Sequence, residues 1–212
     1  KTQLVDQVKR IYNPRGPVGW MLDRQLLTSL RQIFIYDSFG MKVDPRPWMF
    51  GREVDRTKDF EGDEFWFDYL SDTGDGMRAT YSIAYLAQSD LFAPASAQAT
   101  DAIAFEASAD FPRLLPRGDF LFVGGDTSYH VADFETLTDR FQEPFNYAFR
   151  DLARQGRLTE PRRRPLLGIP GNHDYYDFLD GFNRQFRRPY DPEPNFADGD
   201  DPDAPQLALE GF

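Results

Sequence analysis

The polarity pattern along the chain alternates short apolar runs with longer amphipathic stretches. The apolar runs have the length and composition of buried strands, and they are Phe65–Leu70, Asp119–Val123 and Pro165–Pro170. The amphipathic stretches, with apolar residues mostly three or four positions apart, predict helices at Trp20–Phe39, Met77–Ser89, Val131–Gln155 and Tyr175–Arg188. Because strands and helices alternate beyond residue 62, the pattern predicts an α/β fold whose sheet is at least partly parallel.

Three regions differ in composition along the chain. Residues 1–62 are predicted to be a helical extension followed by a loop rich in proline and glycine, and residues 63–188 form the α/β region. Residues 189–212 are an acidic, proline-rich loop or tail. The first helix is expected to pack on the rest of the protein, with a membrane-surface helix as the alternative. Residues 93–110 are expected to be a loop or a short helix.

Composition and charge exclude several classes of function. The chain of 212 residues has a net charge of −11, which disfavours nucleic acid as a partner because phosphate binding needs a basic surface. It contains no cysteine, so disulfides, zinc–thiolate sites and thiol catalysis are ruled out. We find no apolar run of membrane-spanning length, and the segment before Trp20 lacks the apolar centre of a signal peptide. A cytoplasmic location is expected.

Polar side chains follow directly after each predicted strand. The carboxyl ends of neighbouring parallel strands meet at one edge of a sheet, where ligand sites form. Carboxylate, phenol and amide oxygens gathered there are what hard or borderline metal ions bind. The residues concerned are Asp72 after the first strand, Asp126 and Tyr129 after the second, and Asn172, His173 and Asp174 after the third.

In this order, the three signatures resemble the motifs of the calcineurin-like metallophosphoesterase superfamily. They read Asp72-Thr73-Gly74, Gly125-Asp126-Thr127-Ser128-Tyr129 and Gly171-Asn172-His173-Asp174. Most members have Asp-x-His at the first motif, but this chain has glycine there. Purple acid phosphatases share that glycine and replace the histidine by a tyrosine, which Tyr129 matches. The resemblance covers residues 63–188 and implies the first half of a four-layer αββα sandwich.

The resemblance also implies an activity, the hydrolysis of phosphate esters by a metal-activated hydroxide at a dinuclear centre. Asp126 would bridge two metal ions, with Asp72 and Tyr129 on the first and Asn172 on the second. A tyrosinate would favour ferric iron, so the pair is expected to be Fe with Mn, Zn or Fe. His173 would act at the leaving group. Asp174 would orient the His173 imidazole or cap the following helix, and the two roles are compatible.

The superfamily also carries histidine motifs later in the chain, and this sequence has no histidine after His173. We therefore expect a C-terminal half of the domain, supplied by further sequence or by a separate chain, as the main partner. The alternative is a degenerate relative of the same fold that acts as a non-catalytic interaction module. His130 as a stand-in metal ligand is a further possibility. The acidic charge favours a small phosphoester or nucleotide as substrate.

Overall fold

The computed structural model describes residues 18–19, 24–39, 60, 62, 64–95, 103–158 and 164–186. The predicted tail at 189–212 and most of the loop at 40–62 lie outside the described residues. The helices are α1 Arg24–Phe39, α2 Met77–Ala87, α3 Phe134–Leu137, α4 Glu143–Arg154, α5 Asn172–Tyr175 and α6 Asp180–Phe186. The strands are β1 Phe67–Leu70, β2 Leu91–Ala93, β3 Arg113–Leu115, β4 Phe120–Val123 and β5 Leu166–Gly168.

The three predicted strands form one parallel sheet in the order β1-β4-β5. Leu70 of β1 pairs with Val123 of β4, and Val123 pairs with Gly168 of β5, so the three strands end at the same edge. The predicted α/β class with a parallel sheet is therefore confirmed. The segments directly after these strands, including the start of α5, carry all six candidate site residues.

Several predicted boundaries were wrong. The helix predicted from Val131 begins at Phe134, because the Asp133 carboxylate accepts a hydrogen bond from the Thr136 N–H at 2.8 Å and caps it. A π-helical turn, Thr138–Gln142, then joins α3 to α4. The helix predicted from Tyr175 instead begins at Asn172, and a turn separates α5 from α6.

A second, two-stranded sheet flanks residues 93–110, the region predicted as a loop or short helix, which itself contributes only Ala93 and the bridge residue Ala104 among its described residues. Leu91–Ala93 pairs antiparallel with Arg113–Leu115, and Phe92 forms an additional bridge with Ala104. These strands are three residues long, too short to show an alternating pattern in the sequence.

The two faces of the parallel sheet differ in burial. One face packs against α2 and α4, around a fully or nearly fully buried core that includes Leu70, Ala84, Leu121, Val123 and Phe145. On the opposite face Phe67 and Tyr69 are 52% and 61% exposed. Their rings stack on those of Phe120 and Phe122, at centroid distances of 5.3 and 6.0 Å. The sheet therefore presents an exposed aromatic face.

A buried arginine ties the other end of the sheet together. Arg164 is 2% exposed, forms an ion pair with Asp68 of β1, and donates hydrogen bonds to the carbonyls of Gly118 and Ala87 at 3.0 and 2.9 Å. These contacts join β1, the segment that enters β4 and the end of α2. Because the charge is paired and hydrogen-bonded, its burial is tolerated.

Helix α1 lies close to the loops that follow the sheet. The predicted contact with the rest of the protein is present through Tyr36, whose ring lies 6.4, 6.1 and 5.7 Å from those of Tyr175, Tyr176 and Phe178. Residues 20–23 of the predicted helix lie outside the described residues. Among the helices that the structure describes, none combines the length and apolar character needed to cross a bilayer.

Candidate functional site

The loops after β1, β4 and β5 approach each other closely enough to exclude side chains. The Asp72 N–H donates to the Gly125 carbonyl at 3.2 Å and joins the first two loops. Gly125 has φ +98°, and a Cβ there would lie 2.4 Å from the Gly171 nitrogen of the third loop. The glycines of the motifs are therefore required for the three loops to meet.

We expect Gly125→Ala to be much more destabilising than Gly156→Ala. Both glycines have positive φ, but a Cβ on Gly156 would meet no atom within 4 Å. Left-handed strain alone costs about 1–2 kcal/mol, which is the loss expected at Gly156. At Gly125, overpacking adds roughly 1–3 kcal/mol to that strain. Urea unfolding measures both losses, and equal losses would show that the loops do not pack as described.

The two candidate metal-binding carboxylates share an unusual backbone conformation. Asp72 has φ +54° and Asp126 has φ +49°, which is the left-handed region. Aspartate enters this region more readily than most residues, but the conformation still carries strain. Strained residues of this kind cluster at functional sites, where the surrounding structure holds them in place. Here the two strained residues, Asp72 and Asp126, each follow one of the neighbouring strands β1 and β4.

Tyr129 and Asp72 are brought into direct contact. The Tyr129 hydroxyl donates to Asp72 Oδ1 at 2.8 Å, and the tyrosine is 8% exposed. Burial raises the pKa of Tyr129, and the hydrogen bond to Asp72 raises it further. The pKa of Asp72 is lowered by hydrogen bonds from Ser71 and Tyr129. The predicted pair of ligands for the first ion is thus adjacent, with a protonated phenol.

Asp126 joins the second loop to the third. Its Oδ1 accepts a hydrogen bond from the backbone N–H of His173 at 2.9 Å. The side chain is half-buried. The candidate bridging carboxylate therefore lies between the loop of Tyr129 and that of Asn172.

The His173 imidazole is oriented by a backbone carbonyl. Its Nδ1 contacts the carbonyl oxygen of His130, and its ring packs edge-on against Tyr129 with centroids 4.5 Å apart. Since a carbonyl only accepts hydrogen bonds, this contact places a proton on Nδ1. His130 thus contributes to the site through its backbone.

Asp174 does not have the orienting role predicted for it. Its fully buried carboxylate accepts hydrogen bonds from the N–H groups of Asp126 and Gly171, both at 2.8 Å, and of Thr127 at 3.4 Å. The predicted cap of a helix starting at Tyr175 is wrong, because Asp174 lies within α5 and accepts the N–H of Gly171, the residue that precedes this helix. Burial raises the pKa of Asp174, and the three N–H donors oppose this shift. The sequence does not show that backbone N–H donors from two loops converge on this carboxylate.

Asn172 is exposed at the start of α5 and is held by a residue that sequence reasoning missed. Its Nδ2 donates a hydrogen bond to the Tyr176 hydroxyl at 3.0 Å. The four-residue spacing of Asn172 and Tyr176 on a helix was the available signal. This bond engages the amide nitrogen rather than the oxygen, which is the atom a metal ion would take.

The donor chemistry of these side chains fits one metal ion more fully than two. Asp72, Tyr129 and Asp126 supply only oxygen ligands, which suit hard cations such as ferric iron. A second ion would share Asp126 and take the Asn172 oxygen, and it requires further ligands. Among the described residues, no group of three or more His, Cys, Asp or Glu side chains is arranged to hold a metal.

A buried carboxyl near the site gives a testable dependence of stability on pH. Burial raises the pKa of Asp177 to about 7, and the nearby Asp180, Asp133 and Asp174 add to the shift. The Gly181 N–H donates to its Oδ2 at 2.8 Å, whereas its buried Oδ1 makes no hydrogen bond within the described part of the chain. The folded protein therefore holds this proton more tightly than the unfolded chain.

We expect the free energy of unfolding to fall as pH rises from about 4 to about 7, by up to about 4 kcal/mol from this group. The sign follows because the unfolded chain releases the proton near pH 4, whereas the folded protein keeps it until pH 7. Asp177→Asn should remove this contribution to the slope. The stability of the variant relative to the wild-type protein should therefore be higher at pH 8 than at pH 5. Urea unfolding at both pH values measures the difference, and an unchanged slope would contradict the assignment.

No protein-family model, curated protein or solved structure matches this chain significantly.

Proposed function

We propose that the chain forms part of a metal-dependent phosphoesterase, which hydrolyses phosphate esters at a dinuclear metal centre. The observation that carries the proposal is the convergence of Asp72, Tyr129 and Asp126 at the carboxyl edge of the parallel sheet. Both carboxylates lie in strained, left-handed backbone, and the phenol contacts one of them at 2.8 Å. Strained residues of this kind cluster at functional sites, which supports a ligand-binding role for these carboxylates.

The exposed aromatic face of the sheet supports the proposed architecture. Phe67 and Tyr69 are more than half exposed and stack on Phe120 and Phe122. Aromatic residues aligned on one face of a sheet are normally covered by a second layer. We propose that the C-terminal half of a four-layer αββα sandwich covers this face and supplies the further ligands of the second ion.

In the proposed site, Asp72 and Tyr129 would hold the first ion, Asp126 would be shared by both ions, and Asn172 would hold the second. Bound metal ions would supply Lewis-acid stabilisation of the phosphoryl oxygens and a nucleophile derived from water at neutral pH. Binding of a metal ion at Tyr129 requires loss of the phenolic proton that is now hydrogen-bonded to Asp72. Metal uptake is therefore expected to release protons and to strengthen as pH rises.

His173 is suited to protonate the leaving group. The His130 carbonyl occupies Nδ1, so proton transfer to a leaving group would use Nε2. In the imidazolium form, Nε2–H would donate its proton to the departing ester oxygen, leaving a neutral imidazole. Asp174 acts indirectly, because it holds the backbone of Asp126 and Gly171.

A small phosphoester or nucleotide is the substrate class that the charge favours. The net charge of −11 opposes the approach of long polyanions, whereas a single phosphate can be balanced by the metal ions.

The test is metal content by elemental mass spectrometry with phosphatase activity on an aryl phosphate, measured on the full-length protein and on this chain. Two metal ions per full-length molecule, together with activity, would support the proposal. A full-length protein free of metal and inactive after loading with iron, manganese and zinc would overturn it. The alternative would then stand, a non-catalytic interaction module that keeps the fold.

Tyr129→Phe tests the proposed iron ligand directly. We expect the iron-loaded protein to show a visible charge-transfer band from tyrosinate, and we expect Tyr129→Phe to lose that band. Tyr85→Phe is a matched control. Like Tyr129, Tyr85 donates a hydrogen bond from its hydroxyl to a side-chain oxygen, here Gln155 Oε1 at 2.7 Å, but it lies away from the site. A band that persists in Tyr129→Phe would remove Tyr129 from the ligand set.

A further inference from the structure

An open cavity of about 270 Å³ lies between helix α1 and the segment that follows β4. Helix α1 forms one wall and contributes Arg24 and Gln32 to the lining. The segment after β4 forms the opposite wall and contributes Tyr129 and His130. Because Tyr129 is also a candidate metal ligand, the cavity adjoins the candidate site.

Two residues of this lining contact the imidazole that is proposed to protonate the leaving group. The Tyr129 ring packs edge-on against His173, with centroids 4.5 Å apart, and the His130 carbonyl contacts Nδ1 of the same imidazole. The Tyr129 hydroxyl donates to Asp72 at 2.8 Å. An ester whose phosphate lies at these groups therefore has the cavity beside it, where its alcohol part can extend.

Helix α1 is fixed against the α/β region on both sides of the cavity. Toward the end of the helix, the Tyr36 ring lies 6.4 Å from that of Tyr175 and 5.7 Å from that of Phe178. Before the helix, the Val18 N–H donates to the carbonyl of Asp75, in the loop after β1, at 2.9 Å. A wall that is already in place reduces the entropy lost when a ligand binds.

Several polar groups of the lining are not used by the fold. The side chains of Arg24 and Gln32 make no hydrogen bond or ion pair with the residues that the structure describes. The Asp133 carboxylate accepts the Thr136 N–H through Oδ1 at 2.8 Å, which leaves Oδ2 available. Binding pockets commonly use a few such groups, aimed at one space, to orient a ligand.

The lining favours an uncharged ligand that both donates and accepts hydrogen bonds. Its described residues include one guanidinium, that of Arg24, and two carboxylates, those of Asp133 and Glu135, so a second phosphate group would be repelled. The rings of Tyr129 and His130 are 8% and 6% exposed, which leaves little surface for a nucleobase to stack on. Hydroxyl groups match the amide, the guanidinium and the carboxylates alike.

We propose that this cavity binds the alcohol part of the substrate, and that this part is an uncharged, hydroxyl-rich group such as a sugar or another polyol. The inference rests on the proposed function and names a substrate class for it. It makes α1 a component of the binding site, although the sequence predicts residues 1–62 to be an extension of the domain.

The first test compares two phosphate esters on the metal-loaded full-length protein. Glucose 6-phosphate carries a hydroxyl-rich alcohol, whereas 4-nitrophenyl phosphate carries an aryl group with few hydrogen-bonding atoms. The measured quantity is the ratio of kcat/KM for the sugar ester to kcat/KM for the aryl ester. Arg24→Met and Gln32→Leu should each lower this ratio by about tenfold, because each removes hydrogen bonds to a hydroxyl.

Arg31→Met is the matched control for Arg24→Met. Arg31 is an exposed arginine of the same helix and does not line the cavity. The control should keep the wild-type ratio. An equal fall in Arg31→Met would show that the general charge of α1, and not the cavity, determines the preference, and it would overturn the inference.

The second test measures binding without catalysis. Saturation-transfer NMR on the metal-free full-length protein should show contact with sorbitol, and the signal should be weaker in Arg24→Met than in Arg31→Met. Hydrolysis of both esters, with an unchanged ratio in Arg24→Met and Gln32→Leu, would overturn the inference and leave the proposed function intact. Hydrolysis of neither ester by the metal-loaded protein would overturn the proposed function, and with it the role of the cavity in the reaction.

Discussion

Asp126→Asn is expected to lower phosphatase activity by about a thousandfold or more and to reduce the metal content. In the proposed site the Asp126 carboxylate would carry the charge that offsets the repulsion between two cations, and such metal ions contribute several kcal/mol to stabilising a transition state. A loss of about 4 kcal/mol corresponds to roughly a thousandfold in rate. Asparagine keeps an acceptor oxygen for the His173 N–H, so the loop contact at 2.9 Å can be retained. Elemental analysis and turnover of an aryl phosphate measure the two effects.

Asp119→Asn is the matched control for this substitution. Asp119 precedes β4, and its Oδ2 accepts the Trp66 N–H at 3.2 Å, so it also joins two strands through a backbone donor. It lies at the opposite end of the strand from Asp126. We expect it to retain metal and activity. Full activity in Asp126→Asn would exclude a bridging role.

Asp174→Ala is expected to cause the largest loss of stability, about 3–5 kcal/mol in the free energy of unfolding. The fully buried carboxylate accepts three backbone N–H groups, and its removal leaves those donors without a partner. Hydrogen bonds to charged groups contribute about 1.5–3 kcal/mol each, and the bond to Thr127 is long at 3.4 Å. Urea unfolding at neutral pH provides the measurement.

Asp180→Ala gives the comparison on the surface of the same region. Its carboxylate pairs with Arg184 at 3.0 Å, but both side chains are about half exposed. Exposed ion pairs contribute about 0–1 kcal/mol, so little change is expected. If Asp174→Ala were as mild as Asp180→Ala, the three N–H groups would have found other partners, and Asp174 would not hold the loops together.

The sequence predicted the sheet better than it predicted the helices. Phe120–Val123 could be found because a short apolar run flanked by Gly118 and Gly124 is typical of a buried parallel strand. The helix predicted from Tyr175 was misplaced because the strained turn at Phe178 and Leu179 depends on packing. Neither residue signals a left-handed conformation, since their local preference opposes it.

The sequence likewise predicted only part of the candidate site. The order of the motifs and their places after three strands followed from sequence, and the structure brings Asp72, Tyr129 and Asp126 to one edge of the sheet. The role of Asp174 did not follow. A carboxylate beside a histidine suggests an imidazole partner, but its neighbours in space are backbone N–H groups from two loops.

The sequence alone determined the α/β class and the chemical types of the site residues, because apolar periodicity and strand-to-loop placement are local properties. Only the tertiary structure decided which groups share a proton or a hydrogen bond. The Tyr129–Asp72 contact and the approach of Tyr36 to Tyr176 join residues on different loops or on a helix outside the motifs. Such contacts depend on how separate elements pack, and packing is a property of the whole fold.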